Sequence, residues 1–286
     1  MKTHYTSMRR LQRCALMMGL LSLAGFSAGV NAAGMGGFFD AEEGINLVGV
    51  GVGQTPDYQG SDDYTTGAAP VARYYFSGER YVYLLGPQLS VNLVDDKVFQ
   101  FGPMFMYRFG RDSDVDDSVV KQMVEIDDAV EAGAFVAARY AMNEQDPRER
   151  LVFSAELLAD VSDTHDGWIG AAGVRYWMPI SRAVVAHIGG GFAYASDDYV
   201  QTYYGVNGVD VALFPSLGGN AYNAEGGLHD YRITAGAMMH LSPDWHLGAG
   251  VRYQQLQGDA EDSPVVDERG DSAQLIYGLG LGYVWQ

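Results

Sequence analysis

Cysteine is all but missing: the chain holds one, Cys14, and it holds only half as many basic as acidic residues, 18 against 36. A single thiol cannot close an intramolecular disulfide, and Cys14 sits inside an apolar N-terminal stretch rather than at a cleavage point, so neither a disulfide framework nor a lipoprotein anchor is indicated. The surplus of carboxylates argues against nucleic acid as a partner, because phosphate backbones are held by cations. Beyond the first 32 residues there is no run of about 18 apolar residues, which excludes helical membrane spans although 48% of the chain is hydrophobic. No linker, low-complexity tract or second domain is visible.

The N-terminus has the basic residues Lys2, Arg9, Arg10 and Arg13, then an apolar run over residues 15–26, then small residues. This pattern reads as a secretory signal peptide spanning residues 1–32, leaving residues 33–286 as one exported domain. An anchor helix fits less well, since Ser22, Gly25 and Ser27 interrupt a run already short for a span. Cleavage would remove four basic residues and no acidic ones, leaving 14 against 36.

What is present is alternation. In residues 98–110, VFQFGPMFMYRFG, one parity carries Phe99, Phe101, Pro103, Phe105, Tyr107 and Phe109, and the other Gln100, Gly102, Met104, Met106, Arg108 and Gly110. Successive strand side chains point to opposite faces, so one face is too aromatic to leave in water. Lipid is the solvent that suits it. A bilayer admits no unpaired sheet edge, so repeated segments of this kind predict an all-β transmembrane antiparallel up-and-down barrel in a Gram-negative outer membrane. A soluble β-sandwich is the competing reading, disfavoured by the export signal.

Similar alternation recurs at 45–53, 71–76, 85–93, 129–140, 151–161, 168–178, 184–194, 231–241, 245–253 and 275–285, which makes eleven strands with the segment above. Single-chain bacterial barrels have an even number. The missing strand is expected before Leu85, at residues 35–41, for twelve in all, with ten as the alternative. A periplasmic C-terminus places the polar stretches 111–128, 196–227 and 258–271 outside and leaves 95–97, 179–182 and 242–244 as periplasmic turns. The aromatic Trp285, one residue short of the end, serves as the expected assembly signal.

Arg108, Glu131, Arg139, Glu156, Asp160, Arg175, His187, Arg232 and Arg252 fall on the inner parity and are the expected lumen-lining residues. Their pairing would plug the lumen or line a pore. Tyr199, Tyr203, Tyr204 and Tyr222, in the longest outer loop, are the candidates for extracellular recognition. No catalytic constellation is expected: the nearest approach is His229 beside Asp230, with Asp197 and Asp198 in the preceding loop, yet strand neighbours point to opposite faces. His187, His240 and His246 share the inner parity, but histidines in a polar interior need no metal, and no metal or cofactor is expected. Asp112, Asp114 and Asp116 begin as a calcium loop does, but Asp117 stands where that loop needs glycine and Met123 where it needs glutamate. Gly49, Gly51 and Gly53 lack the βαβ unit of a dinucleotide site.

Five segments in order, GVGVGQTPDYQGSDDY (49–64), FGRD (109–112), DDAVEAGAFVAARY (127–140), DDYVQTYYGV (197–206) and GDAEDSPVV (258–266), resemble the MipA/OmpV family of outer-membrane proteins. The resemblance implies a non-enzymatic barrel that scaffolds peptidoglycan-remodelling enzymes, bridging a lytic transglycosylase and a penicillin-binding protein. Its other members imply two alternatives, a porin-like channel for small solutes and a surface adhesin. The remaining partners expected are outer-membrane lipid and lipopolysaccharide, whose phosphates the acidic loops could meet only through divalent ions.

Overall fold

The computed structural model describes residues 44–285, so the signal-peptide segment and the strand expected at 35–41 lie outside the described residues. Twelve antiparallel strands close into one barrel, with β1 (Asn46–Pro56) paired to β12 (Ala273–Trp285) from Asn46 opposite Trp285 to Gln54 opposite Tyr277. Between them run β2 (Tyr64–Ser77), β3 (Arg80–Leu85), β4 (Gln88–Asn92), β5 (Phe99–Arg108), β6 (Ala129–Ala141), β7 (Arg150–Asp160), β8 (Trp168–Pro179), β9 (Val184–Ala195), β10 (Gly227–His240) and β11 (Trp245–Leu256). Each strand pairs with its sequence neighbours. No sheet edge is left open along the closed order, as a hydrocarbon surrounding demands.

The alternation of β5 is resolved by burial: Phe99, Phe101, Phe105 and Tyr107 are 41–48% exposed, whereas Gln100, Met104, Met106 and Arg108 are 3–9% exposed. The same outward apolar face continues through Val48, Val50 and Val52, through Phe153 and Leu157, and through Leu279 and Leu281. Aromatic side chains mark its two edges. Tyr107, Trp168, Tyr194, Tyr231, Tyr253 and Tyr277 lie toward the rim of the long loops, and Tyr74, Tyr140, Trp245, Tyr283 and Trp285 toward the rim of the short turns. Two aromatic girdles around an apolar band are the signature of a barrel standing in a bilayer. No described helix is long and apolar enough to cross a membrane.

Among the described residues, the strand that completes the twelve is β3. Residues 80–92 form a tight hairpin in which Leu85 pairs with Gln88 across Gly86 and Pro87. Gly86 has φ +51°, the left-handed conformation that a two-residue hairpin turn requires and glycine supplies without strain. A two-residue turn reverses the parity of the faces, so Leu85, expected to face outward in a continuous strand over 85–93, is 3% exposed and faces the lumen. The polar loops also hold more order than their composition suggests. Residues 196–226 contain α1 (Asp197–Tyr204), and residues 257–272 contain the one-turn α2 (Pro264–Asp267).

Candidate functional site

The barrel's interior and the loops that close one end of it make the candidate site. Five connections converge at the long-loop rim: residues 57–63, 109–128, 161–167, 196–226 and 257–272. α1 starts where Ser196 accepts a hydrogen bond from the Tyr199 amide, with Asp197 and Asp198 in the first turn complementing the helix dipole. Positions 199, 200, 203 and 204 then share one face, and all four side chains are buried. They pack with Ala195, Ala224, Leu256, Ala260 and Val266. A neighbouring apolar cluster joins Tyr58, Val115, Val120, Met123, Val206, Phe214 and Val265 from four of the connections. These loops therefore form a cap with a core of its own.

Polar contacts tie the cap together and to the wall. The Tyr199 hydroxyl donates to Gln59 Oε1 at 3.1 Å, and Ser263 Oγ donates to the Tyr204 carbonyl at 2.5 Å. Arg111 Nη1 donates to the Tyr203 carbonyl at 3.2 Å, and the Asp210 carboxylate accepts from the Val124 amide at 3.1 Å. Arg269 Nη2 meets Asp117 Oδ2 at 2.5 Å, joining loops 152 residues apart in sequence. Burial pushes the Tyr199 hydroxyl up to about 12 against the pull of the Arg108 guanidinium, and it raises Tyr203 and Tyr204 further. All three stay protonated at neutral pH.

Below the cap lie two ion clusters. Glu131, with no exposed surface, accepts Arg108 Nε at 2.7 Å and Nη2 at 2.9 Å, while His165 Nε2 lies 3.1 Å from Oε1. The Arg108 guanidinium also stands over the ring of Tyr199 at 5.2 Å, so cap and wall share one cation. Asp230 accepts Arg232 Nε and Nη2, both at 2.8 Å, and Gln254 Nε2 at 3.1 Å. His229 Nδ1 is 2.9 Å from Asp230 Oδ2, and His229 Nε2 is 3.1 Å from the Tyr204 hydroxyl.

Residues 48–285 match the family model described as MltA-interacting protein MipA. The chain belongs to the MipA family. Solved outer-membrane proteins are similar to it at low identity. A NanC porin matches with 11% identity over 82% of this chain and 98% of that one at a TM-score of 0.48. An outer-membrane channel from Pseudomonas putida F1 matches with 12% identity over 85% and 96% at 0.45. No curated protein matches this sequence.

Two expectations need correction in this MipA-family barrel. His229 and Asp230 do form a hydrogen-bonded pair, because the β9–β10 register shifts between Leu228 and Asp230 and the bulge turns both side chains inward. The tyrosines expected to offer a recognition surface are turned the other way: Tyr199 and Tyr204 have no exposed surface and Tyr203 is 5% exposed. Tyr222, half-buried, donates its hydroxyl to the Asp259 carbonyl at 2.9 Å.

The other expected residues have distinct surroundings. Asp160 organises the β7–β8 connection, accepting the amides of Ser162, Thr164, His165 and Asp166 within 3.0 Å. Arg139 is buried on β6, and His187 stacks obliquely on Trp177 at 4.6 Å. His240 and His246 stack on each other at 4.3 Å. Among the described residues no cluster of three metal-ligating side chains occurs. The Asp112 carboxylate accepts the Asp114 amide at 2.9 Å within its own loop, and the Asp116 backbone amide donates to Asp57 of another loop at 2.8 Å. Glu156, Arg175, Arg232 and Arg252 border a cavity at mid-barrel.

Three functional-site residues had no place among the expected ones. His165 and Arg111 lie in loops, where parity says nothing, but Arg150 is 2% exposed and shares the parity of Ser154 and Glu156. Its guanidinium stands over Trp177 at 5.0 Å.

The Arg269–Asp117 contact predicts how acid acts on the cap. Burial opposes ionisation of Asp117, but the Arg269 hydrogen bond and the Val120 and Val119 amides outweigh it and hold the carboxyl below its usual value. A depressed carboxyl contributes stability above its unfolded pKa of about 4, and that contribution is lost as pH falls through the folded value. Limited proteolysis within residues 109–128 is therefore expected to quicken below about pH 4. Asp117→Asn should be cleaved faster than the parent at neutral pH and lose most of that acid sensitivity.

Proposed function

We infer that this MipA-family protein is a non-enzymatic outer-membrane anchor that docks a lytic transglycosylase, and with it a penicillin-binding protein, at its short-turn rim. The observation that carries this reading is the packed cap: a barrel closed by its own loops serves as a fixed wall rather than a passage. The family description names an interaction with MltA, which supports the first partner. On this reading the long loops face outward and the short turns face the periplasm, where murein and its enzymes lie.

One part of that rim joins three turns. Arg148, clamped by Asp146 at 2.7 Å, donates to the carbonyls of Ser181 at 3.3 Å and Arg182 at 3.1 Å, and the His240 amide donates to the Ala183 carbonyl at 2.8 Å. Met142, Ile180 and Leu241 stand exposed on these turns. An interface of about 800 Å² per partner needs a surface that spans several turns. Affinity purification from crosslinked envelopes is the test: a transglycosylase enriched above a control barrel is expected, and Ile180→Asp should reduce its recovery severalfold while the barrel still folds. Recovery of no murein enzyme above the control overturns the reading.

A further inference from the structure

We propose that the mid-barrel cavity is a binding site for a small oxyanion, a phosphate or a carboxylate, built by Arg252, Arg232 and Arg175. The cavity measures about 130 Å³, room for several waters, and Glu156 is the only acidic side chain on its wall. Ser154 and Thr234 add hydroxyls, and Gly173 and Gly191, which lie in one register row between Ser154 and Arg232, add no side chain.

Arg252 is the deciding residue. It is 4% exposed, and its Nε has no hydrogen-bond partner. The charges that act on it are Arg232 and Arg108 on one side and Asp230 and Glu156 on the other. Asp230 is already occupied by both donors of Arg232, by Gln254 and by His229. Glu156 is surrounded by Arg232, Arg252 and Arg175, each acting on it through space. With Asp230 bound to Arg232, Glu156 is the acidic side chain that borders the cavity beside Arg252.

A buried cation with unmet donors is costly, and a guanidinium in a low-dielectric cavity is matched by the paired oxygens of a carboxylate or phosphate. The site stands whether or not the short-turn rim docks a murein enzyme.

The test uses the full chain in detergent micelles, titrated calorimetrically with inorganic phosphate and separately with acetate at constant ionic strength. Saturable binding of at least one probe is expected, with a rise in melting temperature on its addition. Phosphate binding alone assigns the phosphate form, and acetate binding alone the carboxylate form. Arg252→Gln should weaken that binding at least tenfold, while Arg269→Gln, on the cap, leaves it unchanged. Without ligand, Arg252→Gln should melt no lower than the parent, because it removes a buried charge that lacks a partner. Absence of binding in both arms, equal affinity in Arg252→Gln, or a variant that melts well below the parent each overturns the proposal.

Discussion

Glu131→Gln is expected to destabilise the barrel by about 3–5 kcal/mol, the scale on which a buried ion pair suffers when one partner is removed. Glutamine keeps the shape but loses the charge, and Arg108 then stays buried opposite a neutral amide. The loss extends beyond two residues, since Glu131 also holds His165 and Arg108 also faces the rings of Tyr199 and Tyr203. One substitution therefore loosens both the β5–β6 wall and the cap above it. Equilibrium unfolding in urea, followed by the heat-modifiable gel shift, measures the effect. The double variant Arg108→Met with Glu131→Leu should recover much of the loss, because removing both charges together removes their desolvation cost as well. A single variant within about 1 kcal/mol of the parent would show that the pair is hydrated rather than buried.

The wall was legible in the sequence because its solvent differs so sharply on the two sides. Phe99 to Phe109 alternate with glycine, methionine and polar residues for one reason, hydrocarbon outside and a packed interior within, and a period of two reports it directly. The β3–β4 hairpin was not legible as two strands because Gly86 and Pro87 reverse the faces within two residues, and apolar side chains continue on both sides of the turn. The His229–Asp230 pair depends on a single extra residue in β10, a bulge set by pairing with β9 that no local pattern announces.

The cap carried a weak signal. Ser196 before two aspartates marks a helix start, and Tyr199 with Tyr203 and Val200 with Tyr204 have helical spacing. Read as an exposed loop, that stretch offers aromatic groups to a ligand; read as a helix with a buried face, it explains why those groups point inward. The surplus of inward arginine was legible from parity alone. Which of them find partners was not, because Asp230 serves Arg232 and leaves Arg252 unpaired only in three dimensions.

Deleting residues 197–226 is expected to turn a silent barrel into a conducting one. Ala195 and Gly227 are register partners, so a short glycine-serine turn can join β9 to β10 without disturbing any strand pair. The deletion removes α1 with Tyr199, Tyr203 and Tyr204, together with Val206 and Phe214 of the second apolar cluster. Neither cap core can persist without them. The strand ladder stays intact, so the variant should still show the gel shift of a folded barrel. In planar bilayers the parent should give no resolved steps, whereas the deletion should open steps comparable to those of a narrow porin, since twelve strands leave an interior wide enough for water once it is unfilled. The uncovered lumen would present Arg108, Arg175, Arg232 and Arg252 to the solution. A salt gradient should then shift the reversal potential toward the anion's equilibrium value. Steps of equal size in the parent would mean that the packed loops do not close the barrel, and the anchor reading would lose the observation on which it rests.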